Sequence, residues 1–569
     1  MGYILKAGLG TETGISLPMP CRPYNTEKKE PVKPPFGYCR PVISSSTLHF
    51  AKNRGIKNSF AVPVPKNKLS NNLDVPKQGT GKQMPLPVPT GRPHRQQGPH
   101  RRQGPPITRY NNARRRHRTH HTIKKRNPTM PTEKNLNYAL QLQQMIRCKT
   151  ISVKGSYDDT EFAKLRHVME ELFPTVHRQA KKLTFSEDCW IYEIPGKDRT
   201  RNLMLMSHHD VVAAEGDWEQ DPFSGEIADG KIWGRGTVDT KTPLFAEFCA
   251  LEELLKEGFV PPCNIWIGSS HNEELGGDGI PKALQYFKEQ NIGFEVVLDE
   301  GGAVIEPPIG GMKCEKCAMI AVHEKGRYRL RCTTTDENGH AGLTAGTKAT
   351  ALERMTAFIQ EASTQKCFIR RLNPQIRAMF SHLAPGCSLP MKLLFSNLWL
   401  FGGLLTKLLP ALSPQAGGLL GTTISFTAIE KTPESKCCTA TASLRPVDSA
   451  DLKKDLDALR SMAAKHDVQI TVDETSEYHE PADMTRPAFS YIKDCVREIF
   501  PAYPASPFIL PGGTDARTLT EICPCVLRFA PIKLSAQQLA SVHGDNENID
   551  VDALGDAVAF YKKFLRNYQ

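Results

Sequence analysis

Leu203-Met-Leu-Met-Ser207 reads as a buried strand, and it runs straight into His208-His209-Asp210. The arrangement recurs twice. Asn264-Ile-Trp-Ile-Gly268 is a second short apolar run, followed closely by His271-Asn-Glu-Glu274, and residues 294–298 form a third, followed by Asp299-Glu-Gly-Gly302. Between these runs the apolar period lengthens. Leu244, Phe248, Leu251 and Leu255 fall on one face of a helix predicted over 243–257, and a further helix is predicted over 280–289. Strand, helix, strand, helix, strand is the pattern of an α/β fold with a mainly parallel sheet flanked by helices. In such sheets ligands gather at the carboxyl ends of the strands.

Those ends carry His, Asp and Glu. One acid after a strand is ordinarily a cap or a solvated turn, but three successive strands ending in imidazole and carboxylate donors point to a hydrolytic centre holding zinc, manganese or cobalt. Side chains alternate along a strand, so His208 and Asp210 share a side if the strand continues. An Asp beside a metal-bound His fixes its tautomer and strengthens it as a ligand. His209 lacks that same-side Asp, which favours His208. Glu273 and Glu274 face different directions, so one can bind metal while the other acts as a base.

Outward from this core, the 569 residues hold 73 Lys and Arg against 61 Asp and Glu. The excess lies at one end: residues 1–129 hold 25 against 4, and the other 440 hold 48 against 57. Residues 1–129 also contain 18 of the 43 prolines and no apolar periodicity, so a disordered basic extension is expected there. Met130 is followed directly by an amphipathic helical pattern, and the mature protein is expected to begin near it. The basic extension raises the remote alternative of a nucleic-acid-binding protein, but an acidic body makes nucleic acid an unexpected partner. Sixteen scattered cysteines without a secretory h-region suit free thiols in a cytoplasmic protein. The apolar stretch 391–409 is interrupted by Lys392, Asn397 and Lys407, so a buried or surface-docked helical insertion is expected, with no membrane span and no membrane partner.

The motifs resemble those of the M20 family of metallopeptidases, which includes aminoacylases, succinyl-diaminopimelate desuccinylases and carboxypeptidases. The matching segments are Leu205-Met-Ser-His-His-Asp-Val-Val212, Gly234-Arg-Gly-Thr-Val-Asp-Thr-Lys241, His271-Asn-Glu-Glu-Leu-Gly-Gly277 and Val297-Leu-Asp-Glu-Gly-Gly302, followed by Gly339-His340, Leu444-Arg445-Pro446, Gly512-Gly-Thr-Asp515 and Val542-His543-Gly544. They keep the family order across 130–569. The chain is most similar to the carboxypeptidase S and N-acyl amino acid hydrolase subgroup, through Trp218 with Pro222-Phe-Ser-Gly225, Val322-His-Glu-Lys-Gly326 and Ser396-Asn-Leu-Trp-Leu-Phe401.

The resemblance implies two Zn2+ ions, replaceable by Co2+ or Mn2+. His208 and Asp299 would hold one, Glu274 and His543 the other, and Asp239 both; relatives differ at the acidic pair, so Glu300 is the alternative to Asp299. Glu273 matches the general base, Asp210 the acid supporting His208, and His340 a histidine that helps stabilise the oxyanion. Arg445, Gly513 and Thr514 match positions that hold the substrate carboxylate. The family's Asp-Asp or Asp-Met before the lysine is here Asp239-Thr240, and an Asn expected before the Arg445 strand is missing.

The implied architecture places a zinc domain over 130–321 and 481–569. An inserted α+β lid of ferredoxin-like βαββαβ form would cover 322–480, with strands at 328–334, 424–429, 437–444 and 468–473 and a helical insertion over about 366–420. The expected reaction is metal-dependent hydrolysis of a peptide or N-acyl amide bond next to a free carboxylate, with water activated between the metals and Glu273 as base. The small peptide of a dipeptidase or carboxypeptidase and the N-acyl amino acid of an aminoacylase are the competing substrates. The lid is where a homodimer would form.

Overall fold

The computed structural model describes residues 131–568, apart from 310–311, 337–348, 413, 433 and 476–478; the basic extension and His340 lie outside the described residues. A strand covered on both faces must be apolar at every position, because its side chains alternate between the two covers. That rule is visible across the large sheet. Leu203 and Leu205, Ile265 and Ile267, and Val296 and Leu298 all enter one core. The interleaved Met204 and Met206, Trp266, and Val297 enter the core on the opposite face. On the first face lie the helices Lys241–Lys256 and Val551–Asn567, and on the second the amphipathic helix Gly279–Glu289, which buries Ile280, Ala283, Leu284 and Phe287. Each such side chain withdrawn from water contributes about 1.5–3 kcal/mol before chain entropy is charged against it.

The sheet has nine strands. Its main path runs Lys181–Phe185, Cys189–Ile194, Cys263–Ser270, Asp198–His208, Val296–Asp299, Val526–Arg528, Cys317–Glu324 and Ala505–Leu510. Asp198–His208 pairs parallel with both of its neighbours, and Val526–Arg528 parallel with Val296–Asp299. The hairpin at the first edge is antiparallel. The mainly parallel α/β sheet predicted from the apolar runs is therefore present, and its central strand is longer at its start than the run 203–207 suggested.

A second sheet is wholly antiparallel, in the order Thr423–Glu430, Cys437–Arg445, Tyr328–Thr335, Gln469–Thr475. With the helices Ala351–Ser363 and Ser449–Lys465 it forms a strand-helix-strand-strand-helix-strand succession. One face packs on those helices through Leu330, Cys332, Ala440, Ala442 and Leu444 against Met355, Phe358 and Leu459. The helix starts are written locally: Thr350 and Glu353 make a reciprocal capping box, and Asp448 accepts from the Ala450 N–H. Between the first helix and the next strand lie four more helices, Pro374–Leu383, Leu389–Ser396, Leu398–Leu412 and Pro414–Leu419, with a core of their own that includes Met319 and Ile509 of the large sheet. The fourteen described cysteines are free thiols, and Cys317 is buried in that core.

Candidate metal centre

The central strand ends at His208, so Asp210 lies beyond it, yet the two side chains still meet: His208 Nδ1 is 3.3 Å from Asp210 Oδ1. His208 Nε2 lies 3.0 Å from Asp239 Oδ1. Burial disfavours the charged ring, but the hydrogen bonds to Asp210 and Asp239 more than offset it and hold the His208 pKa well above the ordinary histidine value. Asp210 also receives the N–H groups of Glu273 (3.2 Å) and Glu274 (3.3 Å). One buried carboxylate thus ties together two adjacent strand ends. His209 takes the opposite side of the chain. It is buried, stacks on Trp190 with ring centroids 3.9 Å apart and shares a hydrogen bond with Ser269 Oγ, as a packed core histidine does.

Asp239 stands at the centre. Its Oδ1 faces His208, while its Oδ2 lies 3.1 Å from His543 Nε2. His543 Nε2 is in turn 3.0 Å from Glu274 Oε2. Burial would raise the Asp239 pKa, but the two histidines hold it far below the usual carboxylate range. Hydrogen bonds to Asp239 and Glu274 push His543 up to about 10. Donor atoms of His208, Asp239 and Glu274 lie within 4.8 Å of one another. His543 has φ 60°, in the left-handed region that costs a residue with a Cβ about 1–3 kcal/mol. The Asp239–Thr240 peptide bond is cis.

The third strand end contributes a pair of acids in different surroundings. Asp299 is buried and accepts N–H bonds from Glu300 (2.9 Å) and Ala516 (3.1 Å). Burial raises its carboxyl to about 6 against the pull of Thr514 and Arg528. Glu300 is pushed well up, first by burial and then by Asp239 across the cluster. Glu273 is raised by burial and by Asp515, Asp239 and Glu274, while Asp515, which accepts from Ser270 Oγ at 2.5 Å, is pushed up to about 7 by burial and by Asp299. This many acids around two imidazoles, with one carboxylate facing both rings, is a donor set that fits divalent cations, whose charge would relieve the crowding.

Two residues that organise the centre escaped the sequence reading. Glu547 is fully buried. Its Oε1 accepts from the N–H of Val238 (2.7 Å) and Asp239 (3.1 Å), and its Oε2 from the Gly236 N–H (3.1 Å) and the Arg235 guanidinium (2.7 Å). It clamps the Asp239 loop to the segment that carries His543. Gly236 belongs to the same clamp: at φ 90° it leaves no room for a side chain, because a Cβ would lie 2.9 Å from Val211. The signal in the sequence was an acid four residues after His543 and a Gly-Arg-Gly turn, neither of which names its partner.

Beside the cluster lies a cleft of about 470 Å³, lined by Glu273, Glu274 and His543 and also by Arg327, Arg445 and Arg517. Arg445, at the end of its strand in the smaller sheet, thereby lines the same cleft as Glu274 and His543, and Gly513 lines it too. Arg445 is held below the usual arginine value by burial and then by Arg327 and Arg517. Thr514 donates its hydroxyl to Glu324 (2.7 Å) and is buried, so its side chain is already engaged.

Residues 204–567 match peptidase family M20/M25/M40. Over 452 residues the chain is 28% identical to the probable carboxypeptidase S-like 2 of Dictyostelium discoideum, covering 77% of this chain and 86% of that protein. It is also 28% identical over 440 residues to the N-fatty-acyl-amino acid synthase/hydrolase PM20D1 of Xenopus tropicalis, covering 75% and 85%. The M20 family metallo-carboxypeptidase Sso-CP2 from Sulfolobus solfataricus shares the fold, with a TM-score of 0.54 and 17% identity over 76% of this chain and 99% of that one. The chain belongs to this family of metal-dependent hydrolases.

Proposed function

We propose that this family member hydrolyses a peptide or N-acyl amide bond next to a free carboxylate, with two zinc ions and Glu273 as the general base. One observation carries the proposal: Glu273, its backbone N–H held by Asp210, shares a single cleft with Arg445 and with Glu274 and His543, which the hydrogen-bonding Asp239 joins to His208. His208 with Asp299, or with its neighbour Glu300, would hold one metal, Glu274 with His543 the second, and Asp239, with an oxygen toward each histidine, both. Such ions supply Lewis acidity toward the scissile carbonyl and make water acidic near neutral pH.

The chain's own residues do the rest. Asp210 holds Nδ1 of His208, so that Nε2 is the nitrogen turned toward Asp239. Glu273 takes a proton from water onto its carboxylate and returns it to the departing amine. Arg445 pairs with the substrate carboxylate through parallel N–H bonds, and Arg327 and Arg517 add positive potential beside it. This fixes the carboxylate end and leaves the acyl side to vary, so both the dipeptides of a carboxypeptidase-like enzyme and N-acyl amino acids satisfy it.

The metal-reconstituted protein should turn over one of these classes in a panel of dipeptides and N-acyl amino acids. Glu273→Gln should lower turnover about 10²–10⁴-fold with metal content unchanged. Wild-type turnover by that variant would refute the assigned base.

A further inference from the structure

In the helix Leu398–Leu412 the positions Leu398, Gly402, Leu405 and Leu409 face inward, a spacing of four, three and four that closes one stripe on the core beneath. The opposite stripe of a surface helix ordinarily carries charge. Here the outward face carries Trp399, Leu400, Leu404 and Leu408, exposed by 80%, 59%, 51% and 44%, with the exposed Gly403 and Lys407 between them. The preceding helix Leu389–Ser396 meets this one at 109° and adds Leu393, also 57% exposed. The result is an amphipathic ridge on two bent helices, with five large apolar side chains exposed close together in sequence.

Charge says what covers it. Residues 362–429 contain six Lys and Arg and no Asp or Glu, in a body where acids outnumber bases. Lys392 and Lys407 are exposed beside Leu393 and Leu408. A second copy of the chain would set these lysines against their own counterparts, with no acid from the same segment to pair them. Anionic headgroups at a bilayer surface pair with them directly, while the apolar ridge enters the boundary between headgroups and acyl chains. Among the described residues no single helix is long and apolar enough to cross a membrane; the two helices reach that length only together, and at 109° they do not form one straight span. Trp is a residue that settles at that depth, and Lys reaches back to the headgroups on its flexible stem.

We propose that this ridge docks the protein on lipid bilayers bearing anionic headgroups, lying in the interface without spanning it. The proposal replaces the expectation of no membrane partner, which rested on span length alone, and it does not depend on the assigned reaction.

The test uses the full chain with phosphatidylcholine vesicles, with and without about one third phosphatidylserine. The basic extension, with 25 Lys and Arg against 4 acids, would also attract anionic vesicles, so the readout must be local. Brominated acyl chains should quench fluorescence in the wild type, and Trp399→Phe should remove that quenching while the protein still binds. Leu404→Glu with Leu408→Glu should reduce partitioning into pure phosphatidylcholine at least tenfold without shifting thermal unfolding, since both positions are exposed. Lys392→Glu with Lys407→Glu should keep partitioning into phosphatidylcholine and abolish the gain given by phosphatidylserine. Equal quenching in wild type and Trp399→Phe would overturn the proposal, as would unchanged partitioning of the Leu404/Leu408 variant. A dimer dispersed by that variant, with no lipid quenching in the wild type, would assign the ridge to self-association.

Discussion

Glu547→Gln tests whether the centre is built by its clamp as well as by its ligands. The carboxylate receives four hydrogen bonds, from the N–H groups of Gly236, Val238 and Asp239 and from Arg235, and all of its surface is buried. The amide matches the shape but replaces one acceptor with a donor and removes the charge opposite a buried guanidinium. Breaking one partner of a buried ion pair costs about 3–5 kcal/mol. Arg235 retains the carbonyls of Gly544 at 2.9 Å and Ala213 at 3.4 Å, which places the loss near the lower end, about 3 kcal/mol. For a unit of this size that lowers Tm by about 3 °C. The larger consequence is at the metal. With the Asp239 and Val238 N–H groups no longer gripped together, the Asp239 loop is free to turn its carboxylate away from His208 and His543, and metal affinity should fall about 10–100-fold. The assay is metal stoichiometry by competition with a chelator, run beside a thermal melt. A variant with wild-type metal affinity and Tm would show that the loop holds Asp239 unaided, and the reasoning would be wrong.

Asp210→Asn should weaken metal binding by a similar 10–100-fold, because the amide cannot serve His208 Nδ1 and both the Glu273 and Glu274 N–H groups equally; unchanged affinity under the same competition would count against the role of Asp210. Arg445→Ala should raise KM about 10–100-fold with a much smaller change in kcat, the signature of lost carboxylate binding. Arg445→Lys should recover only part of it, and an equal loss in kcat would move Arg445 from binding to chemistry. In the metal-free protein the stability contributed by Asp299, Asp515 and His543 should fall as pH rises from about 4 to 10, and the difference between melts with and without zinc isolates it. Asp299 and Asp515, at about 6 and 7 when folded, hold protons that the unfolded chain has already released above pH 4. The stabilisation of protonated His543 is complete below about 6.5 and is lost as pH climbs through about 10. Metal affinity should rise over the same range as protons give way to cations, and melts with and without zinc at several pH values check both signs.

The α/β class was legible because it is written in local period. Leu203–Leu205–Ile265–Ile267 against Met204–Met206–Trp266 is an alternation any strand with two covered faces must show, and it needs no knowledge of what the covers are. The strand-end donors His208, Asp210, Glu273 and Glu274 were legible for the same reason, since each follows its strand within a few residues. The bounds of the elements were less so. The central strand begins at Asp198, in a polar run whose extended form is set by pairing with Cys263–Ser270 rather than by its own composition.

By itself, then, the sequence determined the sheet, its flanking helices and the chemistry offered at three strand ends, because these depend on residues close together in the chain. Tertiary structure alone decided the rest. His543 meets Asp239 and Glu547 grips Arg235 across about 300 residues of chain, and no spacing rule reports such a meeting. The different surroundings of Asp299 and Glu300, adjacent in sequence, follow from which backbone packs beside each. The leucines of 398–409 look alike as letters, and only the packing beneath Leu405 and Leu409 leaves Leu404 and Leu408 facing out. Burial is a property of the whole arrangement, and it separates ligand from packing histidine and core leucine from contact surface.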